Sequence, residues 1–412
     1  MCGITGIYGV LDAAQHVQAV ASVGRMNAAL AHRGPDASGV WSDDRELVLG
    51  HRRLSVIDIQ ESSNQPFIDD VSGDVLIFNG EVYNYRELRD ELKNGFNFQT
   101  DSDTEVVLAA LQCWGFAALD RFNGMFAFAW WNVAKRELFM ARDRMGIKPL
   151  YYAEVGNQVI FASEVRSILA SGSVARIHDP IALADYLRYQ TVHAPRTMIE
   201  GVHLLEPGHW IRLQGEETEK KRWWDAASEA AKVDPVASRS ERTRRIREHL
   251  RQSIDLRMRA DVPLGAFLSG GVDSSAVVGL MQEVAEKRVS TFSVTFHEGE
   301  FDESPWSRMI AKRFDTDHHE IRLSADDFLE QVPDALAAMD HPSGDGPNTF
   351  VVSSATKKAG ITVALSGLGG DELFAGYPVF TRSHDLMQKR WLASWPKGIR
   401  KLVGSAYVAI KS

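Results

Sequence analysis

Cysteine is nearly absent from this chain, with 2 in 412 residues, Cys2 and Cys113. Two thiols cannot build the disulfide framework of a small secreted domain. They point to a reducing compartment, with the cytoplasm as the expected location. No apolar stretch reaches the roughly 20 residues that a membrane-crossing helix needs, and no basic segment followed by an apolar one opens the sequence, so neither a span nor a signal peptide is expected. A positive excess is lacking too: 46 Lys and Arg against 55 Asp and Glu leave a formal charge of −9, a poor match to a nucleic-acid backbone. The basic run 239–259 interleaves Ile246, Leu250 and Ile254 at helical spacing with Glu241, Glu248 and Asp255, the pattern of a solvated amphipathic helix.

What is present is an ordinary globular composition, 44% hydrophobic and 25% charged, with length for two or three domains. Over 2–210, short β-rich runs at 2–10, 46–57, 75–78, 126–131, 137–141 and 159–162 are bounded by turn residues, and helical patterns lie near 19–31, 85–93 and 104–114. Clustered strands with few helices between them predict a layered α+β domain of antiparallel sheets. The polar, Ala-rich stretch 211–240, with Asp234-Pro235 near its end, reads as a linker. From 241 to 412 the pattern becomes strand, glycine turn, helix, strand, with strands at 263–268, 290–296, 319–323 and 361–365 and helices at 276–285 and 306–314. That alternation predicts an α/β doubly wound parallel sheet, whose ligands lie beyond the carboxyl ends of its strands.

Met1-Cys2-Gly3 is the first chemical signal. Removal of the initiator Met leaves Cys2 with a free amine beside its thiol, and such an amine titrates near neutrality and can act as base for its own side chain. The bland alternative is a small residue that packs. Asn79-Gly80-Glu81 follows a predicted strand, so the Asn79 amide and the unshielded Gly80 N–H can meet one oxyanion. Arg53 offers a fork for a carboxylate and Asp103 a partner for an ammonium. Singly these residues read as a hairpin turn, a surface ion pair and a helix cap; together they describe a site for an amino acid with a cleavable side-chain amide. In the second half, Ser269-Gly270-Gly271-Val272-Asp273-Ser274-Ser275 joins a predicted strand to a predicted helix. Its glycines and hydroxyls suit a pyrophosphate, and Asp273, which bare phosphate would repel, implies a bridging Mg²⁺. No Walker-type loop is present, so γ-phosphoryl transfer is not suggested.

Cys2-Gly3-Ile4, His32-Arg33-Gly34-Pro35-Asp36, Gly50-His51-Arg52-Arg53-Leu54-Ser55, 78–84 and 141–151 resemble class II glutamine amidotransferases, and more closely the glutaminase half of the asparagine synthetases. The resemblance implies an N-terminal-nucleophile sandwich of αββα layers, with Cys2 as nucleophile, Asn79 and Gly80 as oxyanion hole, and Arg53, Glu81 and Asp103 around the glutamine backbone. The second half resembles the PP-loop of ATP pyrophosphatases. By that resemblance ATP meets Phe267, Ser269, Gly270, Gly271, Asp273, Ser274, Ser275, Val294, Ser366 and Gly367, and Mg²⁺ meets Asp273 and Asp371. The implied chemistry is glutamine hydrolysis in one half and carboxylate adenylation in the other, joined by ammonia through a shielded passage.

Two departures bear on the acceptor, aspartate or another carboxylate. Leu368 stands where asparagine synthetases proper usually carry Glu, and the segment 340–349 looks more like paralogs that modify other carboxylates, with Asp345 and Asn348 either substrate contacts or loop caps. The family pattern also continues well beyond Gly376-Tyr377, whereas this sequence stops at Ser412, so either a fragment or an incomplete second site is expected. The alternatives are a glutaminase with an inactive second half and a non-catalytic sensor. A homodimer is one open arrangement. Cys113 beside Trp114 is expected in the core, His318-His319 lacks zinc-ligand spacing, and Phe126, Phe128, Trp130 and Trp131 are expected to fill sheet faces.

Overall fold

The computed structural model describes residues 1–9, 12–233, 238–296 and 302–398. The expected strand end at Val10, the Asp234-Pro235 pair and the last part of the expected second domain, 399–412, lie outside the described residues. Contacts divide the chain into two units, Met1–Leu264 with Leu323–Val363, and Gly265–Arg322 with the chain from Ala364 onward.

The first unit is built on two six-stranded antiparallel sheets. One holds β1 (Gly3–Tyr8), β2 (Ala37–Ser42), β3 (Leu47–Arg53), β8 (Tyr151–Val155), β9 (Gln158–Ala162) and β10 (Val202–Leu204), in the order β10-β8-β9-β1-β3-β2. The other holds β4 (Phe67–Ile68), β5 (Val75–Val82), β6 (Gly124–Asn132), β7 (Glu137–Arg142), β11 (His209–Gln214) and β12 (Glu217–Arg222), in the order β12-β11-β7-β6-β5-β4. Their strands are apolar on both faces because both faces are covered. In β5, Val75 and Ile77 join Ile4, Leu49, Met140 and Phe161 between the sheets. Leu76 and Phe78, one residue out of phase, join Leu88, Val106 and Leu111 of the helices Tyr85–Leu92 and Asp103–Trp114. On the far side, Ile7, Val48 and Ile160 meet Val23 and Met26 of the helix Ala13–Ala29 and Ile168 of the helix Val165–Ala170. Helix, sheet, sheet and helix therefore stack in four layers, the αββα sandwich expected. Each large side chain fully buried here, such as Trp131 or Phe139, contributes about 1.5–3 kcal/mol.

The expected linker 211–240 begins inside the second sheet. Trp210 pairs with Ala141, and β12 pairs along β11 from Arg222 to Glu217. All six residues of β12 are exposed and five are charged, Glu217, Glu219, Lys220, Lys221 and Arg222; an edge strand guarded by charge reads from sequence as a linker. Cys113 is exposed rather than in the core. The four aromatic residues of β6 are buried as expected, Phe126, Phe128 and Trp130 toward the helices and Trp131 between the sheets. The basic helix Arg239–Arg257 buries only Ile254 and Leu256.

The second unit carries a four-stranded sheet of β13 (Leu264–Phe267), β14 (Ser290–Phe296), β15 (Asp317–Leu323) and β16 (Val363–Leu365), in the order β15-β14-β13-β16. β13 and β14 pair in parallel, Gly265 with Ser290 through Phe267 with Phe292, connected by the helix Val272–Val284. The chain steps outward from β13 to β15 and then returns to the opposite side for β16. Strand order thus reverses between β13 and β16, the place where open α/β sheets bind ligands. Among the described residues, no helix is long and apolar enough to cross a membrane.

Candidate active site

Cys2 sits one residue before β1. With a period of two it faces the same way as Ile4, into the space between the sheets. Gly3 pairs with Arg52, so Cys2 lies opposite Arg53. The Leu54 N–H donates to the Cys2 sulfur at 3.4 Å. Arg33 Nε donates to the Cys2 carbonyl at 2.9 Å and its Nη1 to buried Glu164 at 2.8 Å, which fixes the chain entering β1.

Asn79 and Gly80 come from the other sheet. Beyond Leu76 the strand β5 has a neighbour only in β6, so its other edge is open. Along that edge the Phe78 N–H donates to Gln65 Oε1 at 2.6 Å and the Val82 N–H to Asp103 Oδ2 at 3.0 Å. Strand alternation places the Gly80 N–H on the same edge between them. A Cβ at Gly80 would lie 2.3 Å from the Met125 carbonyl oxygen, so glycine alone fits. Asn79 is 0% exposed, and neither polar atom of its amide has a partner among the described residues. Such an orphan costs about 1–3 kcal/mol, and a site that meets a ligand there explains why it is kept.

Arg53 is buried and its terminal nitrogens are occupied. Nη1 donates to the Gln60 carbonyl and to Asn64 Oδ1, both at 2.8 Å, and Nη2 to the carbonyls of Asp58 and Ile57. The guanidinium therefore organises the 57–64 loop, and Nε is the nitrogen left without an acceptor among the described residues. Burial pushes the Asp103 carboxyl up to about 7, with nearby Glu81 adding to it and the Val82 N–H opposing. Glu81 is likewise raised, first by burial, with Lys148 pulling the other way. The helix cap is Ser102, which accepts from the Thr104 N–H, and leaves Asp103 in the first turn. Burial lowers the N-terminal amine, here on Met1, to about 5 and raises the Cys2 thiol, against which the Leu54 hydrogen bond and the amine act.

In the second unit a cavity of about 250 Å³ opens at the reversal point, lined by Phe267, Ser269, Asp273, Ser274, Ser366, Gly367, Leu368 and Asp371 among others. The helix starts at Val272, four residues earlier than its periodicity suggests, which puts Asp273 in its first turn. The Ser269 and Ser274 hydroxyls are 2.9 Å apart. Gly270 adopts φ +83 against Trp306, and a Cβ at Gly370 would lie 2.3 Å from Asp273 Oδ2, so the two glycine loops meet at Asp273. Asp273 and Asp371, both on this cavity wall, offer carboxylate oxygens of the kind that would hold Mg²⁺. Gly270, Gly271, Ser275 and Val294 do not line this cavity; the Ser275 hydroxyl turns back to the Gly271 carbonyl at 2.6 Å.

Comparison with known proteins divides the chain once along its sequence. A glutamine amidotransferase domain model matches residues 1–224 and an asparagine synthase model residues 245–408. Asparagine synthetase [glutamine-hydrolyzing] 1 of Bacillus subtilis is 36% identical over 98% of this chain and 62% of its own length. The putative asparagine synthetase [glutamine-hydrolyzing] 2 of Methanocaldococcus jannaschii is 34% identical over 98% of this chain and 80% of its own. The chain belongs to the glutamine-hydrolysing asparagine synthetase family. It spans less than two thirds of the Bacillus subtilis relative. Amidase chry2 of Gibberella zeae is also similar, 33% identical over 89% of this chain and 56% of its own length, so the relatives of this chain include one named as an amidase.

Against the family pattern, Leu368 is 86% exposed on the cavity wall. Asp345 and Asn348 hydrogen-bond each other at 3.3 Å at the start of the helix Gly346–Lys358. A placement missed from sequence is that of Lys148, which lies in the quoted 141–151 motif and is buried, with its N–H donating to Asp143 Oδ2 at 3.0 Å.

Proposed function

We propose that this asparagine synthetase-family protein is a glutamine-dependent, ATP-driven amide ligase, with the glutaminase half running through β12 and the synthetase half starting near 241. The observation that carries the reading is Asn79, buried with a wholly unpartnered amide on the layer that Cys2 faces, beside the open-edge N–H of Gly80. After loss of Met1, the Cys2 thiol gives its proton to its own amine and the sulfur attacks the side-chain amide carbon of glutamine. Asn79 and Gly80 stabilise the oxyanion. The protonated amine returns its proton to the departing ammonia, and water cleaves the thioester to glutamate. Asp103 and Glu81 take the substrate ammonium, and Arg53 faces its carboxylate through Nε and holds the surrounding loop.

In the second half, Ser269, Ser274, Ser366 and Gly367 would cradle ATP, with Phe267 against the base, Gly270 and Gly271 permitting the tight loop, and Ser275 and Val294 at its margins. Asp273 and Asp371 would hold Mg²⁺, which supplies charge neutralisation at the phosphates. The acceptor carboxylate takes AMP with release of pyrophosphate, and ammonia displaces AMP to give the amide. Leu368 supports an acceptor other than aspartate, because an apolar side chain supplies neither charge nor proton transfer, and the name of the amidase relative agrees with that. A Cys2→Ala variant tests the reading: glutamine-driven pyrophosphate release is expected to vanish while ammonia-driven release persists. Retained glutamine hydrolysis in that variant would refute it.

A further inference from the structure

The glutaminase half is held by a residue from far along the chain. Asp340 lies in the stretch that the asparagine synthase model matches, yet its contacts place it in the first unit. Its Oδ2 accepts from the Val165 N–H at 2.6 Å and its Oδ1 from the Arg166 N–H at 2.8 Å. These N–H groups open the helix Val165–Ala170, whose leading residue, Glu164, makes no side-chain cap, so Asp340 supplies the acceptors that Glu164 does not. The hold is reciprocal. Arg166 Nη1 and Nη2 donate to the Ala337 and Ala338 carbonyls at 3.1 and 2.7 Å, at the carboxyl end of the helix Ala325–Ala338, where a cation is favoured.

Glu164 turns its carboxylate to other partners. Oε1 accepts from Arg33 Nη1 at 2.8 Å and meets His32 Nε2 at 2.9 Å, while Oε2 lies 3.2 Å from Arg166 Nε. The same Arg166 Nε is 3.3 Å from Asp340 Oδ1. Charges of alternating sign therefore run without a gap from Asp340 through Arg166 and Glu164 to Arg33, whose Nε donates to the Cys2 carbonyl at 2.9 Å. The side chains of Arg33, Glu164 and Asp340 are 8%, 9% and 10% exposed, so solvent screens these pairs little. Ser163, next to Glu164, grips the same strand entry: its Oγ accepts from the Ile4 N–H at 3.0 Å and its N–H donates to the Ile4 carbonyl at 2.9 Å. The 163–166 segment thus reaches the chain on both sides of Gly3, and Asp340 pins its far end.

We propose that Asp340 is a positioning residue for the glutaminase nucleophile, setting the main chain of Cys2 through Arg166, Glu164 and Arg33 and with it the direction of the thiol toward the substrate amide. This rests on the reading of Cys2 as nucleophile. The test uses the full chain lacking Met1, with glutamine kcat and KM read from glutamate formation and hydrogen exchange at the Ile4 N–H read without substrate. Asp340→Ala is expected to lower kcat about tenfold or more and leave KM within about threefold, because displacing a nucleophile acts on the chemical step. Arg166→Met leaves Asp340 its two backbone N–H groups, which keeps the test open should Asp340→Ala not fold, and is expected to do the same. Asp340→Glu keeps the charge and both acceptor oxygens and is expected to stay within about threefold of wild type. In a Glu164→Gln background, Asp340→Ala is expected to cost less than about twofold more, as for residues of one network. Exchange at Ile4 is expected to quicken roughly tenfold in Asp340→Ala and Arg166→Met, the scale of one weakened hydrogen bond. Unchanged kcat in either variant that folds, unchanged exchange, or an equal further loss in the Glu164→Gln background would overturn the proposal. Wild-type protein that forms no glutamate, while exchange quickens in the variants as expected, would remove the glutaminase reading and leave the hold of Asp340 on the Cys2 chain standing.

Discussion

Asn79 is the residue where stability and function pull apart. Its unpartnered amide burdens the fold, so Asn79→Ala is expected to leave the melting temperature unchanged or higher while glutamine kcat falls about 10²- to 10³-fold, as for other lost oxyanion donors. Steady-state glutamate formation beside a thermal melt checks both. Asp103 gives a pH signature. Its folded pKa, about 7, lies above the unfolded value near 3.9, so the folded state holds the proton and the associated stability is lost as pH rises from about 4 through 7. Asp103→Asn should therefore melt no lower than wild type at pH 8. Its KM for glutamine should rise roughly tenfold or more, the scale of one lost charged contact, and a lower melt with an unchanged KM would contradict the assignment. At this scale Cys2, Asn79, Gly80 and Asp103 were legible as a candidate site only as a set, because singly each has an ordinary use as a packing residue, a turn or a cap. Lys148 was not, because a lysine after a turn reads as solvated until its burial is known, and the crowding of Arg53 by 57–64 is a tertiary fact.

Elements carry the site by clamping its ends. His51 Nε2 donates across the interlayer space to the Phe78 carbonyl at 3.1 Å, tying β3 to β5 one residue before Asn79. Burial lowers its pKa to about 3, against about 6.5 in the unfolded chain. The unfolded state thus binds the proton first, and stability present above about pH 6.5 is lost as pH falls toward 3, by up to about 1.4 kcal/mol per pH unit. Denaturant midpoints across this range should slope less in His51→Gln than in wild type. The 143–148 turn is the second clamp. Asp143→Ala strands four backbone N–H groups and is expected to cost roughly 3 kcal/mol or more, read by chemical denaturation. The β-rich first half was legible from its bounded apolar runs, and the helix Ala13–Ala29 near 19–31 from its spacing, although its start, set by the Asp12 capping box, lies six residues earlier. The strand β12 was hidden because charge on an edge strand imitates a linker.

For the whole molecule, the two-part organisation was legible in the change from clustered strands to strand and helix alternation. The reversal point between β13 and β16 was not, because β16 is only three residues long and is separated from β13 by the whole of 268–362. Asp273 and Asp371 both line the cavity at that reversal, and the proposed function gives them one ligand. Asp273→Asn should accordingly abolish ATP-dependent pyrophosphate release and leave glutamine hydrolysis within about twofold of wild type, because a single lost metal ligand acts on its own site. The most direct measurement of the central claim is pyrophosphate and glutamate followed together with ATP, Mg²⁺, glutamine and a panel of carboxylates that includes aspartate. Acceptor-dependent pyrophosphate appearing in step with glutamate is the predicted result. Glutamate formed with no pyrophosphate for any carboxylate would contradict the ligase and leave a glutaminase alone.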